Sequence, residues 1–307
     1  MAGLKAFSRG LFKMIAKLEM FIALARERHF GRAADSLGIT QPTLSTGIKQ
    51  LEAHLGVKLV QRGSRFGGLT PEGQHTLLAA RQIVGDARRL RDEMRATRLG
   101  LSGKVRLAVI PTALTWASRL ATSFNRQNPN VEFSILSRSS HEVLTMIETL
   151  EADIGLSYLD NEPLGRVTNV GLYRETYTLV CHETHPLAAR ARANWADLAD
   201  VQLCLLTPDM QNRRIINRNF MEAGVTPLSP IESNSTVVLV SNVVAGPWAT
   251  ILPTDMAAFL AAGQPLRVLP LDGGVPAHQV GLVAPHQEPQ TPVLQALMTH
   301  GRDMAID

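Results

Sequence analysis

The chain has 307 residues, enough for two or three domains of ordinary size. Hydrophobic residues make up 45% of it and charged residues 19%, a balance that favours packed cores and excludes an intrinsically disordered protein. It contains no run of about 18 uncharged apolar residues, so we expect no membrane span, and residues 1–13 lack the continuous apolar stretch of a signal peptide. We therefore predict a cytoplasmic protein whose residues 1–14 form a short N-terminal extension, unless translation begins at Met14.

Charge is divided unevenly along the chain. Residues 1–100 contain 17 lysines and arginines against 8 acidic residues, whereas residues 101–307 contain 14 against 19. A basic head on a mildly acidic body is typical of a protein that binds a polyanion at one end, although a solvated charged face would give the same counts.

The head begins with two predicted helices. Apolar residues recur at three- and four-residue steps over residues 15–28, which predicts an amphipathic helix, and a short helix follows over residues 31–37. Gly38 then provides the unrestricted backbone of a tight turn between helices. Thr40 is a good N-cap for a third helix, over residues 41–55, with a proline in its first turn.

One face of the third helix is suited to reading DNA. Its side chains are short and hydrogen-bonding, and such groups can contact base edges in the major groove. The predicted DNA-binding residues on this helix and around its start are Arg32, Thr40, Gln41, Pro42, Thr43, Ser45, Thr46 and Lys49.

A β-hairpin is predicted after the third helix. Two short apolar pieces, at residues 57–60 and 69–70, flank a tip rich in glycine and arginine. We expect this hairpin to be a wing whose Arg62 and Arg65 contact phosphate or the minor groove.

A long helix is predicted over residues 71–99, followed by a Gly-Leu-Ser-Gly hinge at residues 100–103. A helix of this length cannot bury its apolar stripe within a small head. It pairs with a partner helix in a dimer, or it packs along the body of its own chain.

The body alternates strands and helices. Strands are predicted at residues 104–110, 131–136 and 153–156 with helices between them, an order that favours a parallel sheet with right-handed crossovers. Further strands continue the alternation at residues 177–181, 201–206, 237–244, 251–252, 266–271 and 280–284.

The sequence contains no recognisable catalytic, metal or cofactor motif, and we predict that the protein is not an enzyme. Cys181 and Cys204 each lie in an apolar, strand-like run. We interpret them as two buried thiols, with a redox-sensing pair as the alternative.

Residues 30–62, FGRAADSLGITQPTLSTGIKQLEAHLGVKLVQR, followed by LTPEG at residues 69–73, closely resemble the DNA-binding end of the LysR-type transcriptional regulators. This sequence departs from the family at Thr46, where arginine is frequent, and at Val60, where phenylalanine is usual. The body resembles the family's effector domain in GKVRLAVIPT, NPNVEFSIL, LEADIGLSY, HPLA and VAGPWATILP.

The resemblance implies an α/β protein with an N-terminal winged helix-turn-helix, a long linker helix and a C-terminal effector domain of two α/β subdomains similar to periplasmic binding proteins. The implied domains are the winged helix-turn-helix at residues 15–70, the linker helix at 71–102 and the effector domain at 103–307. Subdomain I would comprise residues 103–160 and 267–307, and subdomain II residues 161–266.

The resemblance also places an effector site between the subdomains, where strands end and helices begin. Hydroxyl groups at helix N-termini suit a small carboxylate or oxoanion. The bulk of Trp248 would narrow the cleft and favour a small ligand, unless this residue is a surface tryptophan that fills a loop. The implied effector-binding residues are Thr112, Ser139, Ser140, Tyr158, Thr207, Pro208 and Asn234.

The implied function is regulation of transcription by a homotetramer built from linker-helix dimers. Its partners would be double-stranded promoter DNA, read as a pseudo-palindrome in adjacent major grooves, and a small-molecule effector that changes the spacing of the heads. The competing hypothesis is a stand-alone solute-binding protein with a structural N-terminal segment.

Overall fold

The computed structural model describes residues 2–62, 66–160, 163–286 and 290–306. The chain forms two compact units, residues 1–98 and residues 99–307. Within the described residues, no helix combines the length and the apolar character needed to cross a bilayer.

The head is a three-helix core with a hairpin. Helices α1 (Ala2–Glu27), α2 (Phe30–Ser36) and α3 (Gln41–Leu55) pack around fully buried side chains such as Phe21, Leu24 and Leu44. Strands β1 (Val60–Arg62) and β2 (Phe66–Leu69) pair antiparallel and form the predicted wing. Residues 2–14 belong to α1, so the predicted separate extension is instead continuous with the first helix.

Both ends of α3 are set by capping residues that can be recognised in the sequence. The Thr40 hydroxyl accepts a hydrogen bond from the Thr43 backbone N–H at 3.4 Å, and Gly56 ends the helix in the left-handed region at φ 72°. Buried Glu52 then accepts from the backbone N–H groups of Leu59 and Val60 at 3.0 and 3.4 Å. This carboxylate ties the start of the wing to the end of α3.

Helix α4 (Pro71–Leu99) leaves much of its apolar stripe uncovered. Ala80 and Val84 are buried in the core of the head. Leu78, Leu90 and Met94 are all more than half exposed. The helix therefore has apolar surface that its own unit does not bury.

The body opens as an alternating βα chain. Its first elements, in chain order, are β3 (Gly103–Val109), α5 (Leu114–Gln127), β4 (Val131–Ser137), α6 (Ser140–Glu148), β5 (Ile154–Tyr158) and β6 (Val167–Glu175). The next are β7 (Tyr177–His182), β8 (Ala193–Asn194), β9 (Gln202–Leu206), α7 (Gln211–Glu222), β10 (Leu228–Ser233), α8 (Thr236–Ala245), β11 (Ala249–Pro253), α9 (Thr254–Ala261) and β12 (Leu266–Asp272). Strand β13 (His278–Pro285) and helix α10 (Pro292–Asp303) complete it.

Two sheets define two subdomains. The five-stranded sheet has the order β4-β3-β5-β13-β6, and the six-stranded sheet has the order β10-β9-β11-β7-β12-β8. The chain passes from the first sheet to the second between β6 and β7, and it returns between β12 and β13. The predicted parallel pairing of the first three body strands is confirmed, because β4 and β5 both pair in parallel with β3. Antiparallel pairs with later strands make both sheets mixed.

The predicted subdomain boundaries are wrong by several residues at both crossings. Residues 167–175 were assigned to subdomain II, but β6 pairs along its length with β13 of the first sheet. Residues 267–272 were assigned to subdomain I, but β12 pairs with β7 of the second. Strand pairing, which the sequence does not display, sets these boundaries.

One predicted strand is a helix. Residues 237–244 lie within α8, whose buried residues include Leu239, Val240 and Val243 at helical spacing. The run is rich in valine and apolar throughout, so its composition favoured a strand and its periodicity was uninformative. Strands β6, β8 and β10 were not predicted.

Candidate functional site

Helix α3 exposes the face predicted to read DNA. Gln41, Pro42, Thr43, Thr46 and Lys49 are exposed, and Ser45 is half-buried. The opposite face is buried in the core of the head. Pattern and structure therefore agree on which side of α3 is free to meet a partner.

Two of the predicted DNA-binding residues also have structural tasks. The Thr40 hydroxyl caps α3 and shares a hydrogen bond of 2.9 Å with the Thr43 hydroxyl. Exposed Arg32 donates to the Glu27 carbonyl at the end of α1, at 2.9 Å. Arg62 pairs with Phe66 through the backbone of the wing. The Arg62 side chain and the whole of Arg65 lie outside the described residues.

Three adjacent parallel strands bring the predicted effector residues of the first subdomain to one edge. Val109 of β3 is level with Ser137 of β4 and with Leu156 of β5. Strands β3 and β4 end there, and β5 ends two residues later at Tyr158, so the residues at and after these strand ends emerge together. These residues are Thr112, Ser139, Ser140 and Tyr158.

The second subdomain contributes a corresponding edge. Strands β9 and β10 are parallel and end level, with Leu206 opposite Ser233. Thr207 and exposed Pro208 follow β9, and exposed Asn234 follows β10. The Thr207 hydroxyl is buried and has no hydrogen-bond partner.

Ser139 already has local partners. It caps α6, and its backbone N–H and hydroxyl both donate to the Glu142 carboxylate, at 2.9 and 2.8 Å. Ser140 is buried in the first turn of α6. Ser139 is therefore first a helix cap, and the carboxylate of Glu142 shares the helix N-terminus with any anion that binds there.

Tyr158 leads to a buried carboxyl that sequence reasoning missed. Its hydroxyl donates to Glu175 Oε1 at 2.6 Å, and the Tyr177 hydroxyl donates to the same oxygen at 2.6 Å. Asn212 Nδ2 approaches that oxygen at 3.4 Å. We call Tyr158, Glu175, Tyr177 and Asn212 the crossing cluster, because Glu175 ends β6 where the chain crosses between subdomains.

Burial dominates the electrostatics of this cluster. Burial raises the pKa of Glu175, while hydrogen bonds from Tyr158, Tyr177 and Asn212 oppose that rise. Burial, together with the Glu175 charge, holds the pKa of both tyrosines well above the usual value. The hydroxyls are therefore donors, and the carboxyl is costly to ionise.

Thr112 lies beside the cluster. Its hydroxyl lowers the pKa of both Tyr158 and Glu175, but it completes no hydrogen bond of ordinary geometry. Glu175 Oε2 and Asn212 Oδ1 are also buried without a partner. The only signal in the sequence was a glutamate between apolar strands, in the segment LYRETYTLV.

The expectation that Trp248 narrows the cleft is wrong. Trp248 precedes β11, whose first residue, Ala249, is opposite Cys181 and whose last, Pro253, is opposite Tyr177. Tyr177 lies at the crossing, so Trp248 lies at the far end of the second sheet. There it neighbours Gly246, which lines a surface cavity with His182, His185 and Pro247.

The two cysteines are not placed to form a disulfide. Cys181 is level with Ala249, which is level with Leu203, so Cys204 points to the opposite face of the sheet. They belong to different hydrophobic cores, and the Cys204 thiol donates to the Leu239 carbonyl at 3.3 Å. Burial raises the pKa of each thiol to about 11. The buried-thiol interpretation fits this placement, and a redox pair does not.

No three histidine, cysteine or acidic side chains among the described residues are grouped so that they could hold a metal ion.

Comparison with known proteins matches both units. Residues 15–74 match the family described as bacterial regulatory helix-turn-helix protein, lysR family, and residues 98–305 match the LysR substrate binding domain. The HTH-type transcriptional regulator XapR of Escherichia coli is 28% identical over 261 residues, covering 85% of this chain and 88% of XapR. A probable hydrogen peroxide-inducible genes activator of Mycobacterium avium is 30% identical over 275 residues, covering 88% of this chain and 87% of the activator.

A solved structure has the same overall fold. A full-length OxyR variant from Pseudomonas aeruginosa superposes with a TM-score of 0.73 at 26% identity, covering 95% of this chain and 96% of that one.

Proposed function

The chain belongs to the LysR family of bacterial transcription regulators, and from this premise we propose that a small anion, bound between its two α/β subdomains, controls its grip on promoter DNA. The family makes it a DNA-binding regulator with an effector-binding domain, not an enzyme and not a stand-alone solute-binding protein. The chemical class of the effector and the way it acts on DNA binding are the proposal.

The observation that most supports an effector site is the shared strand edge. Thr112 and Ser140 follow β3 and β4, Tyr158 ends the adjacent parallel strand β5, and the Thr112 hydroxyl is buried and unpaired. The Thr207 hydroxyl, which follows β9 in the second subdomain, is also buried and has no hydrogen-bond partner. Buried donors without partners favour a ligand that accepts hydrogen bonds.

The N-terminus of α6 supports a negative charge on that ligand. Backbone N–H groups at a helix start and the helix dipole both favour an anion, and Ser140 is in the first turn. A small carboxylate or oxoanion can accept hydrogen bonds from the hydroxyl groups, and its negative charge is stabilised by the backbone N–H groups and the dipole at the start of α6.

The DNA contacts are proposed for the head. The exposed polar face of α3 fits the major groove, with Gln41 reading a base edge and Lys49 near phosphate. The wing, with Arg62 and Arg65, supplies further phosphate or minor-groove contacts. This work takes place in the cytoplasm, where the promoter is.

Self-association follows from apolar surface that neither unit covers. Leu90 and Met94 of α4 favour a linker-helix dimer. In the body, Val237 and Val244 of α8 are exposed, and β4 and β10 are each one of the two edge strands of their sheets. Pairing of both surfaces gives a tetramer.

A response to peroxide, suggested by the name of the Mycobacterium avium relative, is not carried over to this chain. Cys181 and Cys204 are buried on opposite faces of one sheet, with each pKa raised to about 11, so few thiolates are present near neutral pH.

The test uses the full-length protein and a thermal-shift screen of small carboxylates and oxoanions. Compounds that raise the melting temperature of the wild type, and not of Ser140→Ala, support an anion site at α6. A screen without hits, or hits that ignore Ser140→Ala, would overturn the proposal.

A further inference from the structure

The crossing cluster contains acceptors without donors. Glu175 Oε1 receives hydroxyl donors from Tyr158 and Tyr177, whereas Oε2 of the same carboxyl has no partner. Asn212 directs its Nδ2 toward Oε1, and its Oδ1 is also unpaired. Both orphan oxygens are buried, so bulk water does not satisfy them.

Two buried acceptor oxygens without donors are unfavourable unless a donor binds to them. A buried acceptor without a donor costs free energy, and a buried carboxylate without a cation costs more. The leading influences on the pKa of Glu175 are burial and neutral hydroxyl and amide groups, none of them a lysine or arginine. The Thr112 hydroxyl lies beside Glu175 but forms no hydrogen bond of ordinary geometry, so the missing partner is a further hydrogen-bond donor.

The position of the cluster favours a ligand as that donor. Tyr158 and Thr112 belong to the first subdomain, Tyr177 and Asn212 to the second, and Glu175 lies at the crossing between them. Thr112 is next to Glu175 and also leaves the same strand edge as Ser140. The proposed anion site and the orphan acceptors therefore lie at the same end of the first sheet.

We propose that the effector is a small anion that also bears a hydroxyl or ammonium group, and that this group donates to Glu175 Oε2 and Asn212 Oδ1. The inference rests on the proposed function, because it adds a second contact to the same cleft. It names the class as hydroxy acids and amino acids, and it excludes simple acids that lack a donor.

Binding at this point also has a mechanical meaning. A donor held by Glu175 and Asn212 contacts a strand of the first sheet and a helix of the second subdomain at once. The ligand thereby fixes the relative position of the two subdomains, which an anion held by α6 alone does not do.

The experiment compares acids that differ only in the donor. Full-length protein is titrated by calorimetry with succinate, L-malate and L-aspartate, and with shikimate against 1-cyclohexenecarboxylate. The variants are Glu175→Gln, Ser140→Ala and Glu183→Gln. Glu183 is exposed and lies outside the cleft, so its variant controls for the loss of a carboxylate.

The expected result is that at least one donor-bearing acid binds the wild type and the Glu183→Gln variant at least about tenfold more tightly than its plain counterpart. Glu175→Gln should remove that preference while weak binding of the anion remains. Ser140→Ala should weaken every acid. If Glu175→Gln does not fold, Asn212→Ala tests the same contact from the other acceptor.

The remaining outcomes separate the two proposals. Acids that bind, depend on Ser140 and show no preference for a donor overturn this inference and leave the proposed function standing. A preference that survives Glu175→Gln does the same. Failure of every acid to bind, or binding indifferent to Ser140→Ala, overturns both.

Discussion

The Tyr158 hydroxyl donates to Glu175 Oε1 at 2.6 Å, and this bond joins the last residue of β5 to the last residue of β6. The two strands are separated in the sheet by β13, so the bond spans the strand between them. It holds a carboxyl at the point where the chain leaves the first subdomain. The proposed donor contact of the ligand is made at this carboxyl.

Replacing Glu175 by glutamine should stabilise the ligand-free protein near neutral pH. The amide keeps an acceptor for Tyr158 and Tyr177 and offers donors to Asn212 Oδ1 and Thr112 Oγ1, which lack partners. We expect a gain of about 1 kcal/mol, seen as a melting temperature higher by roughly 2–4 °C. A lower melting temperature would mean that the orphan acceptors are satisfied in the ligand-free protein.

The stabilising effect of Glu175→Gln should shrink in acid. Burial raises the pKa of Glu175 in the folded protein, so its contribution to stability is present below its unfolded pKa and is lost as pH rises through the folded pKa. Near pH 5 the wild-type carboxyl is more protonated and is itself a donor. His278, whose ring faces Tyr158, and Asp160, which pairs with His278 at 3.4 Å, are kept in both proteins, so the difference in melting temperature reports on residue 175. A difference that grows in acid contradicts this assignment.

Neither cysteine should respond to peroxide in the folded protein. Burial and the raised pKa leave both thiols protonated, and their opposite faces prevent a disulfide. Titration with Ellman's reagent should detect two thiols only after unfolding, before and after peroxide treatment. Loss of both thiols on treatment of the native protein would be the contrary finding.

Glu52→Ala should loosen the wing and weaken DNA binding. The substitution leaves the buried N–H groups of Leu59 and Val60 without their acceptor, which costs about 1–3 kcal/mol. The melting temperature of the head and its affinity for promoter DNA should both fall. Both losses should be smaller for Glu52→Gln, which keeps one acceptor oxygen. Equal loss in the two variants would show that the charge, not the acceptor, matters.

Gln41 and Arg65 should differ in what they contribute on DNA. Gln41→Ala should relax discrimination at one base pair by about 1–3 kcal/mol, because the side chain is proposed to contact a base edge. Arg65→Ala should weaken binding to all sequences. It should also reduce the slope of log affinity against log salt concentration by about one. Affinities on a set of single-base operator variants at several salt concentrations measure both. A uniform loss in both variants would contradict the assignment of reader and phosphate contact.

The head was predictable because its signals are local. Helix α3 is defined by residues that lie within it or next to it, namely the Thr40 cap, the Gly56 stop and the buried apolar stripe. The exposed face followed from the same periodicity, so the candidate DNA-binding residues fell on the free side of the helix.

The cleft was only half predictable. Residues that follow parallel strands, such as Thr112 and Ser140, could be placed at one edge from the βα alternation. Glu175 could not, because its partners come from β5, β7 and α7, and only the pairing of β6 with β13 brings them together. The same dependence on pairing explains the misplaced subdomain boundaries.

The most direct test of the central claim is a footprint of the full-length protein on the DNA upstream of its own gene, with and without an acid that stabilises the wild type. We predict a protected region that changes in length or in its hypersensitive sites when the acid is added to the wild type, and that stays unchanged for Ser140→Ala. A footprint that ignores the acid in the wild type, or changes equally in Ser140→Ala, would contradict control of DNA binding from this cleft.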